Sequence, residues 1–308
     1  MPKRVLCGYG VDLDAVSSWI NAAGLGQRSN PTDVSRGLFG ATVGLDRVLK
    51  LFNRYNIKAT FFIPAHTLES FPEQVAKVRD AGHEIGLHGY THEYVGDLSE
   101  EQERDVLEKS ISVTKALTGK HPRGWTGPAW STSPRTVALL EQYGLLYDHS
   151  FMHHDCQAYF LPYHPSYVET DLNLKATEWM KPMSRIRTSK VVEIPANWHL
   201  DDWPPLNIGQ GVGNGFVDID VVFKLWKAQF DFYYREYDEF IFPITMHPQV
   251  SGKAQVQLLQ ERLIEYINSH EGVQWVPLEV MAREFATGGL GGHTVSGGVQ
   301  LDSTEADA

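Results

Sequence analysis

Apolar residues along this chain recur with two different spacings, and the two alternate from residue 4 to about residue 277. Residues 4–11 (Arg-Val-Leu-Cys-Gly-Tyr-Gly-Val) form a short, nearly unbroken apolar run, the pattern of a strand buried on both faces. They deliver Asp12 and Asp14 at the C-terminal end. Residues i and i+2 of an extended segment point to the same side, so both carboxylates face one site. The stretch 21–40, with its Gly, Ser and Asn residues, reads as a loop longer than a connector needs to be. The spacing of Leu45, Val48, Leu49 and Phe52 predicts a helix over 41–55, and 59–64 is the second strand. Pro72 is placed to begin a helix that reaches Ala81 and stops at Gly82, after which a strand leads to His88. Ser99-Glu100-Glu101-Gln102 has the form of a capping box and opens a helix ending near Gly119.

Residues 123–127 are a further strand, 134–143 a helix stopped by Gly144, and 145–150 a strand carrying Asp148. The segment 151–188 is aromatic, rich in His and irregular, and no element is assigned to it. A strand at 191–195, a long helix at 217–236 and a strand at 240–246 presenting His247 follow. Val256, Leu259, Leu263 and Tyr266 lie on one face of a helix over 254–269, and 273–277 is the last strand. Strands and helices alternating in this way argue for a parallel sheet with crossover helices. Acidic and His residues at strand C-terminal ends favour a barrel with its site at that face. The organisation expected is one domain over 1–285 and a Gly-rich, polar, disordered tail over 286–308.

Composition narrows the function. A 308-residue chain that is 42% hydrophobic can bury a sizeable core. With 27 Lys+Arg against 38 Asp+Glu, its net charge of −11 argues against nucleic acid or anionic membranes as partners. No secretory or membrane-length apolar run occurs, and two cysteines, Cys7 and Cys156, make no disulfide framework. The expected location is the cytoplasm.

The chemistry concentrates in residues 83–92, His-Glu-Ile-Gly-Leu-His-Gly-Tyr-Thr-His. His88 and His92 can converge on one metal across a tight turn leaving a strand, and Gly86 and Gly89 suit that turn. Together with the carboxylates of Asp12-Leu13-Asp14 they make an open, catalytic type of metal site rather than a closed structural one. His153, His154 and Asp155 either line the pocket or cap a loop, and Trp179, Trp198 and Trp203 either stack on a ligand or are buried.

Four pieces occur in order: Asp12-Leu13-Asp14, His88-x-x-x-His92, Thr126-Gly127-Pro128-Ala129-Trp130, and His247 after an apolar strand. This arrangement resembles the polysaccharide deacetylase (NodB-homology) family over about residues 4–285. It is most similar to an intracellular branch typified by bacterial peptidoglycan deacetylase-like proteins, through the runs Ser35-Arg36-Gly37-Leu38-Phe39, Tyr147-Asp148-His149-Ser150, Trp179-Met180-Lys181-Pro182 and Glu193-Ile194-Pro195-Ala196-Asn197-Trp198.

The resemblance implies a distorted (β/α) barrel in a single domain and one divalent metal, usually zinc, held by Asp14, His88 and His92. It implies Asp12 as general base, His247 as general acid and Asp202 as the residue orienting that acid, although Asp201 fits nearly as well. A backbone N–H near Trp130 would help to hold the oxyanion, and Trp130, Arg36, Trp198 and Asp155 are the candidate substrate contacts. The implied reaction removes acetyl groups from N-acetylglucosamine units of chitin-type or peptidoglycan-type chains. The alternative is hydrolysis of small cyclic imides or ureides, as in allantoinase-like relatives. Close relatives look like homo-oligomers. The sequence departs from the family pattern at Thr126, where an Arg usually orients the base, and at Gly89, where a Ser or Thr usually follows the first His.

Overall fold

Nine strands form one sheet in the computed structural model, which describes residues 2–21, 28–208 and 217–300. They are β1 (Arg4–Asp12), β2 (Thr60–Ile63), β3 (Glu84–Leu87), β4 (Gly124–Trp125), β5 (Tyr147–Asp148), β6 (Tyr159–Pro162), β7 (Thr188–Glu193), β8 (Glu239–Met246) and β9 (Val273–Trp275). The order is β6-β7-β5-β4-β3-β2-β1-β8, with β9 also beside β1. Every pairing is parallel except β6 with β7. Parallel neighbours require crossovers, and helices supply most of them, so the C-termini of all the strands but β6 open toward one end.

β1 pairs with three other strands and is buried from Val5 to Asp12, as its unbroken apolar run requires. It pairs with β8 along its whole length; its other edge is shared by β9 near the N-terminus and β2 near the C-terminus. The sheet curls so that connections from its far side reach the free edge of β8. Ile241 N–H donates to the Cys156 carbonyl at 3.0 Å, and Asp202 N–H to the Thr245 carbonyl at 3.3 Å. The result is a single α/β domain with a curled half-barrel, bridged by single hydrogen bonds where a closed barrel would have strand pairs. Phe52, Trp226, Phe230, Leu259 and Leu263, from three outer helices, pack on its convex side.

The periodic helices at 72–80, 100–118, 136–142, 219–236 and 254–268 form within a few residues of expectation. The Ser99 box is complete, and Gly119 ends its helix with φ 73°. Other segments differ. Residues 31–40 are not loop: a helix starts at Pro31–Phe39, capped by Asn30, and runs through a π turn at Gly40–Gly44 into Leu45–Arg54. Its glycines, which imitate a loop in composition, are contact points. A Cβ on Gly37 would lie 2.3 Å from the Ala15 carbonyl oxygen, and one on Gly44 2.3 Å from that of Pro248. Of the rest of the expected loop, residues 22–27 lie outside the described residues.

The unassigned segment holds β6 and then an arm in which Leu172 and Met180 are 85% and 61% exposed. The expected disorder of 286–308 does not hold up to residue 300. Leu290 is buried, His293 N–H donates to Ala158 O at 2.8 Å, and Arg185 N–H donates to Val299 O at 2.8 Å. The glycine-rich composition conceals this docking, which main-chain hydrogen bonds and the buried Leu290 side chain make together. Residues 301–308 lie outside the described residues, and among those described no helix is long and apolar enough to cross a membrane.

The first residue of β3, Glu84, carries a pH-dependent share of the stability. Glu84 Oε2 accepts hydrogen bonds from Thr60 Oγ1 and Glu279 N–H, and the Tyr147 hydroxyl lies 2.8 Å from Oε1. Burial nevertheless raises its pKa to about 7, because these donors do not replace the lost hydration. A folded pKa above the unfolded one means that the stabilisation is complete below about pH 4.5 and is lost as pH rises through 7. Glu84→Gln keeps the neutral shape, so it should unfold with a Tm that is flatter between pH 5 and 8. The residue is only partly buried, which limits the difference to on the order of 1–2 kcal/mol. Equal pH slopes for the two proteins would refute this.

Candidate active site

The strand ends on the open side bring together the acidic and His residues that are far apart in the chain. β1 ends at Asp12, and two residues later Asp14 lies buried beneath the β3 exit. His88 follows β3 and points its Nδ1 at the Thr126 carbonyl, 2.8 Å away. That carbonyl can only accept, so Nδ1 carries the proton and Nε2 turns its lone pair inward. Nε2 lies 3.4 Å from Asp14 Oδ1 and 3.8 Å from Asp12 Oδ2.

The chain then turns sharply. Gly89 has φ 67° and His92 φ 63°, and Glu93 caps the turn by accepting from the Tyr90 and Thr91 N–H groups at 2.9 and 2.8 Å. A Cβ at position 89 would meet Glu93 Oε2 at 2.8 Å. With its positive φ, the turn disfavours the Ser or Thr expected at that position. His92 Nε2 comes within 3.9 Å of Asp14 Oδ2, which also accepts from Gln249 Nε2 at 3.1 Å.

The donor atoms of Asp14, His88 and His92 all lie within 4.8 Å of one another. Asp14 Oδ1 and His88 Nε2 are buried without a hydrogen-bond partner. Orphaned buried acceptors are costly, and lone pairs that converge in this way are what a divalent cation satisfies. The residues present fit a metal.

Asp12 lies between this cluster and a second one. Its Oδ2 is 3.7 Å from His247 Nε2, and its Oδ1 is buried and unpartnered. His247 Nδ1 lies 2.7 Å from Asp202 Oδ1 and 3.5 Å from Asp201 Oδ1. Asp202 also accepts from the His247 N–H at 3.0 Å and from Ser251 Oγ. Asp201 instead accepts from the Trp203 N–H at 2.8 Å, closing a turn. Of the two candidates, Asp202 makes the close contact with the ring. Gln260 Nε2 donates to Ser251 Oγ, and Tyr9 donates to Gln260 Oε1, so the support reaches back to β1.

Electrostatics divides the cluster. Burial raises Asp12, with His88 and His247 only partly opposing it. Burial acts the same way on Asp14, but His92 and His88 outweigh it and hold Asp14 below the usual carboxylate range. Burial disfavours charge on His88, yet Asp12 and Asp14 raise its pKa; His92 is desolvated down to about 4. Burial also opposes charge on His247, but Asp201, Asp202 and Asp12 together raise it well above the ordinary imidazole value. Asp201 is pushed up to about 8, chiefly by burial.

The remaining candidates are spread more widely. Thr126 supplies no cation: it is fully buried, and its Oγ1 donates to the His149 carbonyl at 2.6 Å. Trp130 packs edge-on against Trp198 at 4.3 Å, and Trp198 is 44% exposed. The Trp130 N–H itself donates to Gly127 O at 2.7 Å, within the turn. Arg36 lies over the Trp19 ring at 4.3 Å and bonds Asp33 and Asn207; it braces its own helix rather than joining the His–Asp cluster. Asp155 lines a cavity of about 930 Å³ together with Trp198, Asp201 and Trp226, and its nearest ionic neighbour is His154 at 3.4 Å.

Sequence reasoning missed Gln249, Ser251 and His149. Gln249 and Ser251 fall two and four residues after His247, a spacing that becomes informative only once Pro248–Ser251 is known to be a helical turn. His149 forms part of the floor: it stacks on Phe62 and bonds the Ile194 carbonyl at 2.6 Å.

Comparison with known proteins places this geometry in context. A family model described as polysaccharide deacetylase matches residues 40–147. A peptidoglycan deacetylase of Helicobacter pylori is 46% identical over 287 residues, covering 92% of this chain and 97% of that protein. A solved structure from Mycobacterium smegmatis, assigned to the polysaccharide deacetylases, superposes with a TM-score of 0.76 at 25% identity, covering 96% of this chain and 94% of its own. A Puue allantoinase structure superposes with a TM-score of 0.74 at 25% identity, covering 92% of this chain and 91% of its own.

Proposed function

The chain belongs to the polysaccharide deacetylase family, and from that premise we propose that it is a metal-dependent N-deacetylase acting on N-acetylglucosamine units of peptidoglycan-type or chitin-type chains. One observation carries the reading. Three convergent donors, two of their atoms orphaned, face an Asp-supported imidazole across the Asp12 carboxylate, whose Oδ1 is unpartnered.

Asp14, His88 and His92 would hold the cation, and their two-imidazole, one-carboxylate set suits Zn²⁺. When bound, such an ion polarises an acetamide carbonyl and makes water acidic enough to attack near neutral pH. Asp12 accepts the proton that the attacking water gives up; its unpartnered Oδ1 leaves a lone pair available. His247, held protonated by Asp202 and Asp201, delivers a proton to the leaving nitrogen as the C–N bond breaks, so the products are acetate and a free amine. Trp130 and Trp198 offer aromatic surface beside the site for a pyranose ring.

Asp202→Asn tests the acid. Loss of that carboxylate should lower the His247 pKa, so the alkaline limb of kcat/KM should move to lower pH. An unmoved limb would mean that His247 is not the acid.

A second reading, hydrolysis of small cyclic amides, draws support from the likeness to the allantoinase structure. The metal-loaded protein should release acetate from N-acetylglucosamine oligomers and leave succinimide and allantoin intact. Turnover of either ring without acetate release would replace the first reading with the second.

A further inference from the structure

Beyond the His–Asp cluster, the C-terminal ends of β5 and β7 place two acidic side chains together where neither meets water. Asp148 and Glu193 are in register on these parallel neighbours, and both are 0% exposed. Each has one oxygen in conventional use. Asp148 Oδ1 accepts from Ser150 Oγ at 2.8 Å, and Glu193 Oε1 accepts from the Ser150 and Phe151 N–H groups, both at 2.9 Å. The other oxygens, Asp148 Oδ2 and Glu193 Oε2, have no other partner. Both side chains close on Ser150, Asp148 through its hydroxyl and Glu193 through its amide, so the two carboxyls stand side by side. Two carboxylates cannot hydrogen-bond, because both only accept; a bond between them needs a proton on one.

We infer that Asp148 and Glu193 share a single proton and act together as positioning residues for the turn that aims His88. The connection is a short chain of bonds. Ser150 Oγ, held by Asp148, accepts the Gly127 N–H at 2.8 Å. The residue before Gly127 is Thr126, whose carbonyl receives the His88 Nδ1 proton. A second strut runs from Thr126 Oγ1 to the His149 carbonyl, beside Asp148. If the proton were lost, two like charges would face each other in a dry site and push β5 and β7 apart beneath this turn.

The titratable groups facing the pair do not relieve it. Tyr159, in register with Glu193 on β6, is raised by burial and stays neutral, as does His149, which burial lowers to about 4. Burial and the neighbouring carboxylate raise Glu193 well above the carboxylate range, and burial lifts Asp148 to about 6. A folded pKa above the unfolded one gives stability that is complete in acid and is lost as pH rises through it.

Three measurements test this, and the first two hold whether or not the deacetylase reading is right. In infrared difference spectra at pH 7, Glu193→Gln and Asp148→Asn should each lose one protonated-carboxyl C=O band relative to wild type. Retention of that band in both variants overturns the shared proton. The wild-type Tm should fall more steeply in alkali than that of Glu193→Gln, since the amide makes the same bond without titrating; parallel profiles overturn the claim. The third measurement rests on the proposed metal site and is read by Co²⁺ absorption titration of metal-free protein. Glu193→Ala should bind Co²⁺ about tenfold more weakly, in the range of outer-contact losses at metal sites, and Glu193→Gln should bind like wild type. Wild-type affinity in Glu193→Ala overturns the positioning role and leaves the proton result standing. If no variant or wild-type protein binds Co²⁺ at all, it is the metal site that fails.

Discussion

His88→Ala is expected to leave the purified protein with little bound divalent metal and no measurable acetate release. The reason lies in how the imidazole is held. Its Nδ1 proton is committed to the Thr126 carbonyl, so its one free lone pair, on Nε2, is aimed at the cluster and has no protein donor. Removing it leaves Asp14 and His92 as a two-point site. Loss of an outer contact weakens metal binding by about 10–100-fold, and loss of a direct ligand should exceed that. The check is metal analysis of dialysed wild-type and variant protein, alongside turnover. Full metal occupancy in the variant would remove His88 from the ligand set.

Asp12→Asn should behave in the opposite way with respect to metal: occupancy near wild type, with kcat reduced by about 10³-fold, within the usual range for a lost general base. An amide is nearly the same size as the carboxylate but cannot take a proton from water. Asp12 also lies outside the tightest donor group, which comprises Asp14, His88 and His92. KM should change little, because the loss falls on the step rather than on binding. Asp14→Asn should instead lose metal, since it would place an NH₂ group or a weaker oxygen where carboxylate oxygens now face both imidazoles. If Asp12→Asn loses the metal and Asp14→Asn keeps it, base and ligand have been exchanged.

The placement of the site was open to a sequence argument because each piece sits where one strand ends. Asp12 and Asp14 follow an unbroken apolar run, His88 follows a short one and His247 follows another; a parallel sheet puts all such ends on the same side. Side-chain chemistry and strand period are local properties, so they can be read along the chain without knowing what packs on what. The well-formed amphipathic helices were legible for the same reason, as was the capping box at Ser99.

Tertiary structure alone decided whatever depends on which backbone comes near. Asp201 and Asp202 are adjacent and chemically identical; only the path of the chain beside β8 gives Asp202 the imidazole and leaves Asp201 a turn. Gly37 reads as a loop residue until the Ala15 carbonyl is seen where a side chain would have to go. Gln249 is one glutamine among several until a helical turn points it at Asp14. The tail to residue 300 docks through main-chain hydrogen bonds that its glycine-rich composition does not reveal. The chain alone determined the strand order of chemical types and the end of the sheet at which they meet. Only the folded backbone determined which of two equivalent neighbours makes a contact, because that choice turns on a few ångströms of approach between segments far apart in the chain.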